Sequence, residues 1–186
     1  MRKVIAFEQV SLDGYFVDAK GDMSWAHKQD PEWDAFVGGN ASSGGALLFG
    51  RVTYEMMASF WPTPAALQRS RVVAEGMNDA PKVVFSRTLE KASWNNTKLA
   101  KGDLAAEVRR MKRESGPDMA ILGSGSIVSQ LAQAGSIDEY QIVICPIVLG
   151  KGRTLFEGVP VKLPLKLTKT RAFGNGNVVL CYEPPA

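Results

Sequence analysis

Three segments place small and cationic residues where a backbone could hold a phosphate. In the first, Ile121-Leu122-Gly123-Ser124-Gly125-Ser126 runs into Ile127-Val128-Ser129-Gln130-Leu131-Ala132, which reads as a strand, a glycine turn and a helix start. Glycines let a backbone approach an anion closely, and a helix N-terminus offers free N–H groups and a partial positive charge. Ser124 and Ser126 add hydroxyl donors, although a tight turn with Ser126 as N-cap explains the same residues. The second segment is Leu47-Leu48-Phe49-Gly50-Arg51-Val52-Thr53-Tyr54-Glu55. An arginine in a first helical turn opposes the helix dipole, and an anionic ligand would offset that cost. Thr53 could donate to the same phosphate; the alternative is a surface Arg51 paired with Glu55. In the third, Val83-Val84-Phe85-Ser86-Arg87-Thr88, a strand delivers a hydroxyl and a forked guanidinium, a pair suited to a phosphate monoester. Alone, Arg87 reads equally as an exposed loop residue. On consecutive strand ends the three favour a polyanionic nucleotide, with a pyrophosphate on the glycine turn and a separate phosphate on the two arginines. That distribution fits NADP better than NAD, because arginine accommodates a 2′-phosphate.

Other chemistries are narrowed by composition. His27 is the one histidine, so sites needing two histidines are excluded. Cys145 and Cys181 lie far apart in apolar runs, form no CxxC, and are expected as core residues. Lys and Arg exceed Asp and Glu by 22 − 19 = 3, too small a surplus for a dedicated nucleic-acid or polybasic membrane protein. The first apolar run stops at Glu8 and Gln9, too short for a signal sequence, and no run spans a membrane, so a cytoplasmic protein is expected.

The elements that must position these residues follow from periodicity. Short β-branched runs at 4–10, 46–49, 82–86, 119–123, 141–148, 163–171 and 177–182 have strand length. Between the early ones lie helical segments. The clearest is 103–115, with Asp103 as N-cap, Leu104, Val108 and Met111 on one face, and Gly116-Pro117 as the stop. Its cationic run, Arg109, Arg110, Lys112 and Arg113, is read as a solvated face. Alternating strands and helices imply a mostly parallel sheet covered on both faces. The end differs: 168–173 and 178–182 around Gly174-Asn175-Gly176-Asn177 read as an antiparallel hairpin. The fold class is a three-layer α/β domain with a mixed sheet, one domain over 1–186, and ligands are expected at the carboxyl ends of its strands.

In their order, these residues resemble the dihydrofolate reductase-like family, in particular the C-terminal reductase domain of the bifunctional deaminase-reductase of riboflavin biosynthesis. The resemblance rests on Ser11-Leu12-Asp13-Gly14, on Gly50-Arg51-x-Thr53-Tyr54-Glu55 with Phe60-Trp61, and on Met77-Asn78-Asp79-Ala80-Pro81-Lys82 through Leu89. It continues with Gly123-Ser124-Gly125-Ser126, Ile137-Asp138-Glu139-Tyr140 and Pro146-Ile147-Val148-Leu149-Gly150-Lys151-Gly152. The zinc deaminase signature is absent, so the chain resembles the reductase part standing alone.

The resemblance implies an NADPH-dependent reductase acting on a small pterin-like or ribosylamino-pyrimidine-like heterocycle; the alternative is a nucleotide-binding protein without turnover. Gly50, Arg51, Thr53, Ser86, Arg87, Gly123, Ser124, Gly125 and Ser126 would bind the cofactor. Relatives with true dihydrofolate reduction use one carboxylate on the first helix, and Met23-Ser24-Trp25 resembles the loop before it. Asp13, Asp30 and Glu32 are therefore the catalytic candidates. Each has a second reading: Asp13 as a turn residue before Gly14, Asp30 as the N-cap before Pro31, and Glu32 with Asp34 as dipole-compensating charges. His27 is expected near the pocket, and Trp25, Trp33, Phe36 and Trp61 could wall a flat ring site. A homodimer is implied, with 141–152 as the candidate interface.

Overall fold

The computed structural model describes residues 1–185. Its elements begin with β1 (Val4–Ser11), β2 (Tyr15–Asp18), α1 (Pro31–Ala41), β3 (Ala46–Gly50), α2 (Arg51–Phe60), α3 (Pro64–Arg69) and α4 (Arg71–Asp79). They continue with β4 (Lys82–Phe85), β5 (Thr97–Ala100), α5 (Leu104–Arg113), β6 (Met119–Leu122), α6 (Gly125–Gln133), β7 (Glu139–Cys145), β8 (Gly152–Thr154), β9 (Lys166–Ala172) and β10 (Val178–Glu183). One eight-stranded sheet has the order β5-β4-β3-β6-β1-β7-β10-β9. It is parallel from β5 to β7 and antiparallel from β7 through β10 to β9. This is the mixed α/β architecture with a C-terminal hairpin that the residue pattern predicts.

Local signals act as expected where they are strong. The Asp103 carboxylate accepts the Ala106 N–H at 2.7 Å and starts α5, whose Val108 and Met111 are buried. Asp30 caps α1 in the same way, with Pro31 at the first helical position. Alternation in β1 sends Val4, Ala6 and Val10 into the core beneath α5 and α6, beside Val128 and Leu131. On the opposite face, Phe49, Tyr54, Val73 and Met77 join β3 to α2 and α4. A third cluster of Trp33, Cys145, Phe173 and Cys181 seats α1 on β7 and β10. Both cysteines are buried free thiols, and burial pushes Cys145 up to about 11.

Three short strands escape the sequence pattern. In β5, Thr97 and Lys98 interrupt the apolar run, and its identity comes from parallel pairing with β4. Strands β2 and β8 pair only with each other, off the main sheet. The predicted interface also needs correction. Strand β7 lies between β1 and β10, so the backbone of 141–145 is bonded on both sides and cannot serve as an edge. Gln141, Ile142 and Ile144 are only partly exposed, and the loop that follows is more open, with Val148 66% exposed. No described helix is long and apolar enough to cross a membrane.

Candidate functional site

Strands β4, β3, β6 and β1 are neighbours and run the same way, so their carboxyl ends share one edge. Gly50 pairs with Phe85, which brings Arg51 beside Ser86 and Arg87. The β1–β6 ladder ends at Phe7 and Leu122, where the chain turns away through Gly123. The three predicted phosphate-holding segments therefore do lie on adjacent strands.

Their side chains divide the work differently from the sequence expectation. Thr53 Oγ1 donates to the Gly123 carbonyl at 2.8 Å, and Ser124 Oγ accepts the Gly50 N–H at 3.1 Å while donating to Leu122 O. These two hydroxyls stitch the β3–α2 turn to the β6–α6 turn, and both residues are buried. Gly123 has φ +59°, a left-handed conformation that favours glycine. At Gly125, a Cβ would come within 2.6 Å of the Phe16 ring, so this glycine serves packing. Available outward are Ser126 and the amides of Gly125 and Ser126 at the start of α6, which no side chain caps and no acidic residue occupies. Ser86 Oγ accepts the N–H groups of Thr88 and Leu89, which fixes the hydroxyl beside Arg87. Arg51 pairs with Glu55 at 2.9 Å, both half-exposed, an interaction weak enough for an anion to displace. Arg87 is exposed, and no described carboxylate pairs with it.

Below this edge lies a cleft of about 560 Å³ between the sheet, α1, α2 and the α3–α4 segment. Phe7, Leu47 and Leu122 form its floor, Trp33, Val37 and Met77 its walls, and Trp61 and Phe60 its outer side. Lys28, Asp34 and Arg69 supply its charge, and His27 lies beside them. His27 is held below the ordinary imidazole range, first by partial desolvation and then by Arg69, against Asp22. Of the predicted aromatic walls, Trp33 and Trp61 line the cleft. Phe36 instead packs on Trp33 and Phe173, at 5.6 and 5.2 Å between ring centroids. Trp25 ties its indole N–H to Asp22 O.

None of the three predicted carboxylates faces the cleft. Asp30 is spent on the Trp33 N–H at 2.9 Å. Glu32 pairs with Arg171 at 2.6 Å on the surface. Asp13 accepts from Ser11 Oγ and from the N–H groups of Leu149 and Gly150, which pins the loop before β8. The Ser11 hydrogen bond, more than the loop amides, holds its carboxyl below the usual range. Asp13→Ala is therefore expected to speed amide exchange at Leu149 and Gly150; unchanged exchange there would remove the loop-pinning role. On the first helix, Asp34 is the carboxylate that reaches the cleft.

The residue that the sequence reading missed is Glu8. It is 2% exposed, its side chain shares the side of β1 that faces α6 with Ala6 and Val10, and its buried Oε1 has no hydrogen-bond partner among the described residues. Burial pushes its carboxyl up to about 8, against the lowering effect of the Ser124 and Gly123 amides. A signal existed: Glu8 shares the inward parity of Val4, Ala6 and Val10, where an ionisable residue is out of place. The left-handed glycine turn at Gly123 and the uncapped start of α6 fit a dinucleotide whose phosphates lie on the strand ends and whose reactive ring enters the cleft.

A family model described as RibD C-terminal domain matches residues 2–179. The uncharacterised protein YyaP of Bacillus subtilis (strain 168) is 27% identical over 182 residues, covering 98% of this chain and 95% of its own length. A solved structure from Shewanella sp. PV-4, whose name assigns it to riboflavin biosynthesis, superposes with a TM-score of 0.73 at 23% identity, covering 99% of each chain. Dihydrofolate reductase from Enterococcus faecalis, solved with NADP(H), superposes with a TM-score of 0.67 at 12% identity, covering 99% of this chain and 97% of that one. At these identities the two structures are alike in fold.

Proposed function

The chain belongs to the RibD C-terminal domain family, and from that premise we propose that it is an NADPH-dependent reductase of a small heterocycle, pterin-like or ribosylamino-pyrimidine-like. The observation that carries this reading is the adjacency of three phosphate-suited strand ends, on β4, β3 and β6, above an apolar cleft. When bound, NADPH supplies a hydride, so the protein needs few acid-base side chains of its own. The amides of Gly125 and Ser126 and the Ser126 hydroxyl would take the pyrophosphate. Arg51, released from Glu55, joins Ser86 and Arg87 on the 2′-phosphate. Thr53 and Ser124 hold the two turns at the spacing this requires, a positioning role. Phe7, Trp33 and Leu122 exclude water from the ring site, and Asp34 with Arg69 and Lys28 orients the substrate's polar edge.

Arg51→Ala and Arg87→Ala test the cofactor assignment. Each is expected to weaken NADPH about 10- to 100-fold while leaving NADH nearly unchanged, read by cofactor fluorescence titration. Equal losses for both cofactors would remove the 2′-phosphate assignment. Binding of NADPH with no oxidation by any pterin or pyrimidine would instead favour a nucleotide-binding role without turnover. Self-association belongs to the same proposal. Strand β9 is one of the two edges of the sheet, with Leu167 50% exposed, and light scattering that returns a monomer would remove the dimer.

A further inference from the structure

We propose that Gln9 is the residue that selects the substrate ring: its carboxamide reads an inner ring edge that carries a hydrogen-bond donor beside an acceptor, as a neutral lactam does. The proposal rests on the reductase reading for its site and adds to it the edge by which the heterocycle is recognised.

Alternation along β1 sets Ile5, Phe7 and Gln9 on the face opposite Glu8, and all three line the cleft. The floor around Gln9 is apolar, made of Ile5 and Phe7 of β1, Leu47 of β3, and Ala120 and Leu122 of β6. A half-buried polar side chain on such a floor costs free energy unless something pairs with it. The neighbours that could do so are engaged elsewhere. Gln141 donates its Nε2 to Glu139 at 2.7 Å, Ser11 donates to Asp13, and Asp30 accepts the Trp33 N–H. Among the described residues, none of them bonds the Gln9 carboxamide. A ring entering the cleft supplies the missing partner.

Register places Gln9 on the substrate's side of the site. It lies two residues past Phe7, the last residue of the β1–β6 ladder, yet it remains paired with Val143 of β7. Val143 belongs to the cluster that seats Trp33 of α1, a wall of the cleft. Gln9 therefore stands at the foot of that wall, while the phosphates of the dinucleotide would lie across the strand ends on the β6 side.

Charge decides which edge it reads. Lys28, Asp34 and Arg69 are exposed at the cleft mouth, where they meet the outer side of a ligand, whereas the floor side chains named above are uncharged. The inner edge of the ring thus meets a neutral partner. A carboxamide offers an acceptor oxygen and a donor NH2 in one plane, which pair in parallel with a lactam N–H and C=O. A carboxylate, which only accepts, would instead select the donor–donor edge of a protonated diamino ring. Gln141 is the less suited of the two floor carboxamides, since its amide is already bonded to Glu139.

Ring titrations followed by protein fluorescence, with and without NADPH, test this. The probes are pterin, which carries the lactam, and diaminopteridine, in which an amino group replaces the lactam oxygen. The wild-type protein is expected to bind pterin about 10- to 100-fold more tightly than diaminopteridine. Gln9→Leu, close in volume, should bind the two about equally. Gln9→Glu should invert the order, a reversal that a purely structural role of Gln9 would not produce. NADPH affinity should be alike in all three proteins, which also shows that the variants fold. No ring preference in the wild-type protein, or a preference kept in Gln9→Leu, removes the assignment and leaves the reductase reading standing. Loss of NADPH affinity in Gln9→Leu with the ring preference intact would also overturn it, placing the carboxamide on the cofactor. If the wild-type protein binds no dinucleotide, the reductase reading falls, and the titrations without cofactor still decide the role of Gln9.

Discussion

Between about pH 5 and pH 8, the wild-type protein is expected to lose about 3–4 kcal/mol of folding stability that Glu8→Gln keeps. Glu8 has an ordinary value of 4.5 in the open chain and about 8 in the fold. Within that window the unfolded chain has released the proton and the folded chain still holds it. Rising pH therefore favours unfolding, and the full cost is reached once the folded carboxyl itself ionises. Two other groups bend the raw curve. His27, held low in the fold, adds stability as pH rises through the imidazole range. Lys82, lowered to about 8 by burial, adds stability above that value. Both are common to the two proteins, so the difference between their denaturation curves isolates Glu8. A difference that stays constant with pH would show that the Glu8 carboxyl ionises in the fold as it does in water.

Gly76→Val is expected to destabilise the protein by about 3 kcal/mol or more and to distort the cleft. Gly76 lies on α4 where that helix meets the end of α1. A Cβ there would fall 2.7 Å from the Ala41 carbonyl carbon and closer still to its oxygen. Those atoms are backbone, so no side-chain rotation relieves the clash and the helices must separate. Ala41, Val73 and Met77 line the cleft at that junction, so the separation should also weaken ligand binding. Gly39 on α1 is the matched control: nothing lies within 4 Å of its Cβ position. Gly39→Ala should gain about 0.5–1 kcal/mol through helix propensity. Equal effects at the two glycines in thermal unfolding would refute the close-approach account.

Much of the site's framework was legible because its signals are local. Gly50-Arg51, Ser86-Arg87 and the glycine turn at Gly123 each end a strand, and parallel pairing sets them side by side. Asp30 was legible in its lesser role, since an acidic residue before proline at a helix start is a cap. The division of labour inside the turns was not legible. Thr53 and Ser124 reach Gly123 O and Gly50 N–H across 70 and 74 residues of chain, and local spacing carries no trace of such contacts. Gly125 is required by Phe16, which arrives from near the N-terminus. Glu8 was passed over for a related reason. Its parity marked it as inward-facing, but the amides it meets there, those of Gly123 and Ser124, lie more than a hundred residues later in the chain.

The central claim is that a dinucleotide phosphate lies across the ends of β4, β3 and β6 while its reactive ring enters the cleft over Phe7 and Leu122. A crystal structure of the protein soaked in NADPH tests it most directly. The account predicts the pyrophosphate on the amides of Gly125 and Ser126, the 2′-phosphate between Arg51 and Arg87, and the nicotinamide at the inner end of the cleft. A dinucleotide bound elsewhere, or none at saturating NADPH, would contradict it.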